Sequence, residues 1–231
     1  MVFLAGAVAG AELRQVQSLD GEWQIAFDVE NAGRDANWNQ EKIFSKLPGL
    51  RPIAVPCCWE EIEKDYEGVA FYGTTFKVPA NWNDQTVRLQ FDAVNFRAEV
   101  WLNGVAVGVH EGGFTPFEFR VDDLLSFGGD NFLSLRIAGP ILLQDRNIDG
   151  VGKMETPQWR GAITGGIWQS VRLVATGDVL VEDVFIEPRI SDGTVKLHVK
   201  AILRKLGVHS RVEAAVIAVE QGLRSNRDGT G

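Results

Sequence analysis

Apolar and polar residues alternate in short runs through most of the first 187 positions of this chain. Val87, Leu89 and Phe91 alternate with Arg88 and Gln90, and Leu133, Leu135 and Ile137 with Ser134 and Arg136. Val171, Leu173 and Ala175 alternate around Arg172, and Val184 and Ile186 close the set. A period of two sends successive side chains to opposite faces, so each run predicts a half-buried strand with its polar members in water. Ala98, Val100 and Leu102 lead through Asn103-Gly104 into Val105, Val107 and Val109. That predicts a hairpin, because Asn and Gly accept the positive φ that a type I′ turn requires. Gly112-Gly113, Gly128-Gly129 and Gly165-Gly166 punctuate the runs, and Pro56, Pro79, Pro116 and Pro140 fall near strand ends, where a missing donor is tolerated. No useful amphipathic helical stretch precedes residue 190. The expectation is an all-β fold, an antiparallel two-sheet jelly-roll sandwich.

The pattern changes in the tail. Val195, Leu197, Val199, Ala201 and Leu203 alternate as in a strand, while Val195, Val199, Ile202, Leu203 and Leu206 sit at helical spacing. Three features favour helix. The helical set reaches Leu206 and meets Gly207, a suitable stop. Lys196, Lys200 and Arg204 recur every four residues as one basic stripe. Ser210-Arg211-Val212-Glu213 then forms a capping box before an alanine-rich run. Short helices are expected at 194–206 and 210–222, with a strand over 194–203 as the alternative; the pair would pack through Val199, Ile202, Leu206 and Ala215.

Composition sharpens this seam. All 22 aromatic residues lie at or before Phe185. Residues 1–187 hold 15 Lys/Arg against 27 Asp/Glu, a net of −12, and residues 188–231 hold 8 against 4, a net of +4. The reading is an N-terminal segment 1–17, a body 18–187 and a basic tail 188–231. An acidic body argues against wholesale nucleic-acid binding, and no apolar run approaches the roughly 20 residues that cross a bilayer. Residues 1–11 are apolar and rich in small residues, and Ala9-Gly10-Ala11 resembles an A-x-A cleavage site, though no basic segment precedes it. A signal remnant would place the protein in the periplasm or outside the cell; a start-site artefact would leave it in the cytoplasm. Cys57 and Cys58 are adjacent, poorly placed for an unstrained disulfide, and read as two thiols of which at least one is buried.

The body also resembles a known family. Ser18-Leu19-Asp20-Gly21-Glu22-Trp23, Val55-Pro56-Cys57-Cys58-Trp59 and Gly68-Val69-Ala70-Phe71-Tyr72 are similar to the sugar-binding domain of glycoside hydrolase family 2. So are Ala98-Glu99-Val100-Trp101-Leu102-Asn103-Gly104, His110-Glu111-Gly112-Gly113-Phe114-Thr115-Pro116-Phe117 and Gly165-Gly166-Ile167-Trp168. The motifs occur in the family's order across about 18–187. The resemblance implies a galactose-binding-like jelly roll ahead of an immunoglobulin-like domain and a catalytic barrel, in β-galactosidases, β-glucuronidases and β-mannosidases. It also implies that two barrel glutamates perform the hydrolysis. Retaining glycosidases hold such carboxylates about 5–5.5 Å apart. A barrel takes about 250 residues, more than the 231 here, so no catalytic residue is assigned and the chain is expected to be inactive by itself.

Some family members lend jelly-roll residues to the active-site rim. In the galactosidases an Asn precedes the Trp of Pro-x-x-Trp, where this chain has Cys58; an Asp stands two places before a Trp-Arg pair, where it has Pro157. Gln158, Trp159 and Arg160 remain the rim candidates, since an indole face takes sugar C–H groups and Gln or Arg bonds hydroxyls; packing of Trp159 under a loop is the competing reading. Glu60-Glu61 and Glu63-Lys64-Asp65 read as a solvated acidic loop. His110 and Glu111 adjoin in a strand and point apart, so they are not read as a catalytic pair. Three dispersed histidines, 110, 198 and 209, suggest no metal, and no cofactor is expected.

The tail resembles the end of the LuxR/NarL-type helix-turn-helix domain, through Thr194-Val195-Lys196, His198-Val199-Lys200, Leu203-Arg204-Lys205-Leu206-Gly207-Val208 and Ser210-Arg211-Val212-Glu213-Ala214-Ala215. The resemblance implies a recognition helix near 193–206 carrying Lys196, Lys200 and Arg204 as phosphate contacts. The domain's first two helices have no counterpart upstream, and half a helix-turn-helix cannot orient its reader. The expected function is a non-catalytic sugar-binding domain partnered by carbohydrate, weakly, or by a barrel, with neither specific DNA binding nor a membrane role. Rival readings are a free-standing carbohydrate-binding module, and a fusion or misassembled chain with a vestigial DNA-binding tail.

Overall fold

The computed structural model describes residues 14–153 and 164–177, and in the tail Val199, Lys200, Leu203, Arg204, Gly207 and Ser210. The chain divides into two compact units, 1–180 and 181–231. Among the described residues of the first, ten strands form two sheets. The smaller takes β1 (Arg14–Ser18), β10 (Val171–Thr176), β5 (Thr86–Phe91) and β8 (Phe117–Arg120) in that order. The larger runs β3 (Arg51–Val55), β2 (Gly21–Asp28), β4 (Val69–Lys77), β9 (Asp130–Ala138), β6 (Arg97–Leu102) and β7 (Val105–Glu111). Every pairing between these strands is antiparallel. The expected two-sheet sandwich is what forms.

Its main core lies between the sheets and is built from the alternating positions. Val87, Leu89 and Phe91 of β5 and Leu173 and Ala175 of β10 meet Ala98, Val100 and Leu102 of β6 and Leu133, Leu135 and Ile137 of β9. The β6–β7 hairpin turns at Asn103 (φ 52°) and Gly104 (φ 79°), the two left-handed positions of a type I′ turn. Asn103 Oδ1 accepts the Phe132 N–H at 2.9 Å, while its Nδ2 donates to Leu124 O at 2.8 Å and Asn131 Oδ1 at 2.9 Å.

The larger sheet departs from simple alternation. Ser134 and Arg136, read as the wet face of β9, are both fully buried. A second core covers that face. Phe44 from the short helix α1 (Glu41–Phe44), with Ile141, Ile148 and Val151 from the segment after β9, packs on Phe71, Phe132 and Ala138. Burying Arg136 requires compensating charge. It bonds Glu99 Oε1 at 3.0 Å, Asp149 Oδ2 at 2.7 Å and Asn31 Oδ1 at 2.5 Å. Arg34 grips the same two carboxylates from the outside, and Arg97 bridges Glu99 and Glu111.

In the second unit, Val199, Lys200, Leu203 and Arg204 are helical, so the strand alternative fails at these positions. Val199 and Leu203 are half-buried and Lys200 and Arg204 exposed, as an amphipathic helix requires. Gly207 has φ 69° and donates its N–H to Arg204 O at 3.3 Å, the expected stop. The strand end at Val184 and Ile186, most of the packing set (Ile202, Leu206, Ala215) and the second helix at 210–222, apart from Ser210, lie outside the described residues.

Candidate functional site

The family motifs converge at one end of the sandwich, where four connecting segments are stitched together by backbone hydrogen bonds. Cys57 N–H donates to Ile167 O at 2.9 Å and Trp59 N–H to Gly165 O at 3.0 Å. Asn95 and Gly166 exchange both bonds at 3.0 Å, and the Asn95 side-chain amide donates to Thr164 O. Gly112 N–H reaches Phe96 O at 3.1 Å, and the Trp168 indole N–H reaches Gly113 O at 2.8 Å. Glycine is required at 165 and 166, since a Cβ at either would enter the Trp59 ring or the Tyr72 hydroxyl.

Trp59 is the centre of this end. It is fully buried, with its ring edge-on to Phe27 at 6.1 Å and Tyr66 at 5.6 Å. The Pro-x-x-Trp motif therefore folds as an apolar plug, carried on the 3-10 turn Trp59–Glu61. Its neighbour Glu60 overturns the solvated-loop reading. The carboxylate is half-buried and accepts the Gly165 N–H at 2.9 and 3.1 Å through its two oxygens. Burial pushes its pKa up to about 7, against the lowering effect of hydrogen bonds such as that from Gly165. Glu61, Lys64 and Asp65 are exposed as expected, while Glu63 pairs with Arg51 at 2.6 Å. Glu67 is also buried and accepts the N–H groups of Leu142, Leu143 and Gln144 at 2.5, 2.5 and 2.9 Å.

Neither thiol is fully buried, which corrects the expectation of at least one inside; Cys57 and Cys58 are free and half-buried. Burial pushes both thiols up, Cys58 to about 11, so they stay protonated and unreactive at neutral pH. His110 stacks on Phe117 at 4.0 Å while Glu111 turns to Arg97, so the two do not act together. No cluster of metal-ligating side chains occurs among the described residues. Gln158, Trp159 and Arg160 lie outside the described residues, as does Lys196; Lys200 and Arg204 are exposed one helical turn apart. Sequence reasoning missed Glu60, Glu67 and Asn95 as loop anchors. The position of Glu60 beside the motif tryptophan was the available signal; Asn95 offered none.

Glu60 gives the first unit a pH dependence of definite sign. Its folded pKa, about 7, lies above the ordinary 4.5. Its stabilising contribution is therefore complete below 4.5 and lost as pH rises through 7. Thermal midpoints measured from pH 5 to 8 should fall more steeply for the native chain than for Glu60→Gln; parallel curves would show that Glu60 titrates normally.

The fold is an antiparallel two-sheet β-sandwich whose motif-bearing loops are tied together at one end. A family model, glycosyl hydrolases family 2, sugar binding domain, matches residues 60–176, and the chain belongs to that family. A second model, bacterial regulatory proteins of the luxR family, matches residues 187–218. A β-glucuronidase of Paenibacillus borealis is 30% identical over 127 residues, covering 53% of this chain and 21% of that protein. A β-galactosidase of Thermoanaerobacter pseudethanolicus is 28% identical over 139 residues, covering 59% and 18%. The apo structure of β-glucuronidase from Ruminococcus gnavus superposes with a TM-score of 0.62 at 26% identity, covering 73% of this chain and 30% of that one. The chain thus spans about a fifth of the length of the curated relatives it matches.

Proposed function

We propose that the body is a non-catalytic sugar-binding domain that works beside a family 2 glycosidase barrel and turns over no substrate of its own. One observation carries this reading: the carboxylates that burial or pairing withdraws from solvent are committed to partners within the fold. Glu60 is committed to Gly165, Glu67 to Leu142–Gln144, and Glu99 and Asp149 to arginines. A glycosidase acid and nucleophile must instead face a shared substrate bond about 5–5.5 Å apart. The purified chain should release no nitrophenol from β-galactoside, β-glucuronide or β-mannoside substrates beyond a mock preparation. Turnover would overturn the proposal.

Gln158, Trp159 and Arg160 are proposed as rim contacts to carbohydrate, supported by their place in the sequence a few residues before the anchored 164–167 segment. The boundaries 18–187 and 188–231 are proposed as the functional division, with the tail as a partial helix-turn-helix. Lys200 and Arg204, with Lys196 on the same stripe, support weak, salt-sensitive phosphate contact of about 10⁻⁴ M or worse. Specific recognition needs a reader helix held by supporting helices, and the luxR model matches only residues 187–218. Gel shifts should vanish at physiological salt with excess random competitor DNA; a surviving shift would overturn that part.

A further inference from the structure

We propose that the exposed ring of Phe114, braced edge to face by Trp168, forms a carbohydrate-stacking platform at the loop end, taking the apolar face of a neutral pyranose ring. The proposal rests on the sugar-binding reading above and gives it a location. Among the large apolar side chains exposed in the described residues, Phe114 alone is aromatic, at 54% exposure. Its ring meets that of Trp168 edge to face, with centroids 5.6 Å apart and planes at 70°. The indole is fixed beforehand, because its N–H is held by Gly113 O at 2.8 Å. A ligand meeting these rings need not order the indole, which lowers the entropic cost of binding.

A pyranose presents a C–H face and an equatorial rim of hydroxyls, and both have counterparts here. Aromatic rings take the face. Thr115 Oγ1, next to Phe114 in the chain, and His110 Nε2 lie 3.4 Å apart and supply donors and acceptors for the rim. Stacking on Phe117 at 4.0 Å fixes the imidazole, and burial lowers its pKa, so it is neutral at pH 7 and can both donate and accept. Charge selects against an anionic sugar: Glu111 is exposed at the end of β7, and Arg97, paired across from it on β6, is already engaged by Glu111 and Glu99. The platform is also too small for a protein partner. Two aromatic side chains bury about 300–500 Å² together, whereas a stable interface takes about 800 Å² from each side.

The test titrates the full chain with methyl β-galactoside, methyl β-glucoside, methyl β-mannoside and glucuronate, following tryptophan fluorescence. At least one neutral glycoside should give a saturable change with Kd in the millimolar range, about 4 kcal/mol of binding, and glucuronate should bind more weakly. Phe114→Ala should raise that Kd about tenfold, the scale of one aromatic contact, and Phe114→Tyr should preserve it; equal thermal midpoints confirm that both variants fold. An unchanged Kd in Phe114→Ala overturns the platform while leaving the sugar-binding reading intact. Failure of every glycoside to bind overturns both. Sedimentation that shows self-association lost in Phe114→Ala, with Kd unchanged, overturns the platform in favour of a second copy of the chain.

Discussion

Replacing Trp59 with alanine should lower the stability of the first unit by about 3–5 kcal/mol, the range for removing a buried aromatic. The indole is fully buried at the junction of Phe27, Tyr66, Gly139 and Gly165. Gly165→Ala should also destabilise, by about 1–3 kcal/mol, because its methyl group enters the space of the ring. In the Trp59→Ala background the same methyl group falls into a cavity. The double variant should then be more stable than the two single costs imply, a coupling that urea denaturation of all four proteins measures directly. Strictly additive costs would show that ring and glycine do not compete for one volume.

The second large effect is expected at Glu99. This carboxylate, 7% exposed, is bonded by Arg136 at 3.0 Å and contacted by Arg34 and Arg97. Glu99→Ala leaves the fully buried Arg136 short of countercharge and should cost about 3–5 kcal/mol. Glu99→Leu combined with Arg136→Met removes both charges while keeping apolar volume, and should cost less than Glu99→Ala alone. The urea midpoint should shift with an unchanged denaturant slope. A double variant less stable than Glu99→Ala would mean that the pair contributes net attraction beyond its desolvation penalty.

The sandwich was legible because its strands follow one rule. Val87, Leu89 and Phe91, and likewise Ala98, Val100 and Leu102, face the inter-sheet core at every second position, and Asn103-Gly104 turns as its chemistry dictates. The rule failed at β9. There Arg136 occupies a position that alternation assigns to water, but the helix bearing Phe44 and the segment that follows β9 cover it. Periodicity records which face a residue takes and carries no information about what later folds over that face. The loop end was legible through its motifs, which place Trp59, Gly165 and Trp168 together. The burial of Glu60 was not, because an acidic run looks solvated until Gly165 supplies an N–H for one of its members.

The hairpin turn at Asn103 also bears on how this protein ages. Asn-Gly steps are prone to deamidation, in which the glycine amide nitrogen attacks the asparagine side-chain carbonyl and ammonia leaves. That attack requires the side chain to swing toward the following peptide. In the fold, Asn103 Oδ1 is held by Phe132 N–H and its amide by Leu124 O and Asn131 Oδ1, while Gln40 Nε2 donates to the Gly104 carbonyl at 3.3 Å. The side chain that shapes the turn is thereby kept from the rotation that would cleave its own amide. Deamidation at this step is expected when the hairpin opens; water then opens the cyclic imide to aspartate or isoaspartate, and the sum of the two at position 103 in storage would record the time the chain has spent unfolded there.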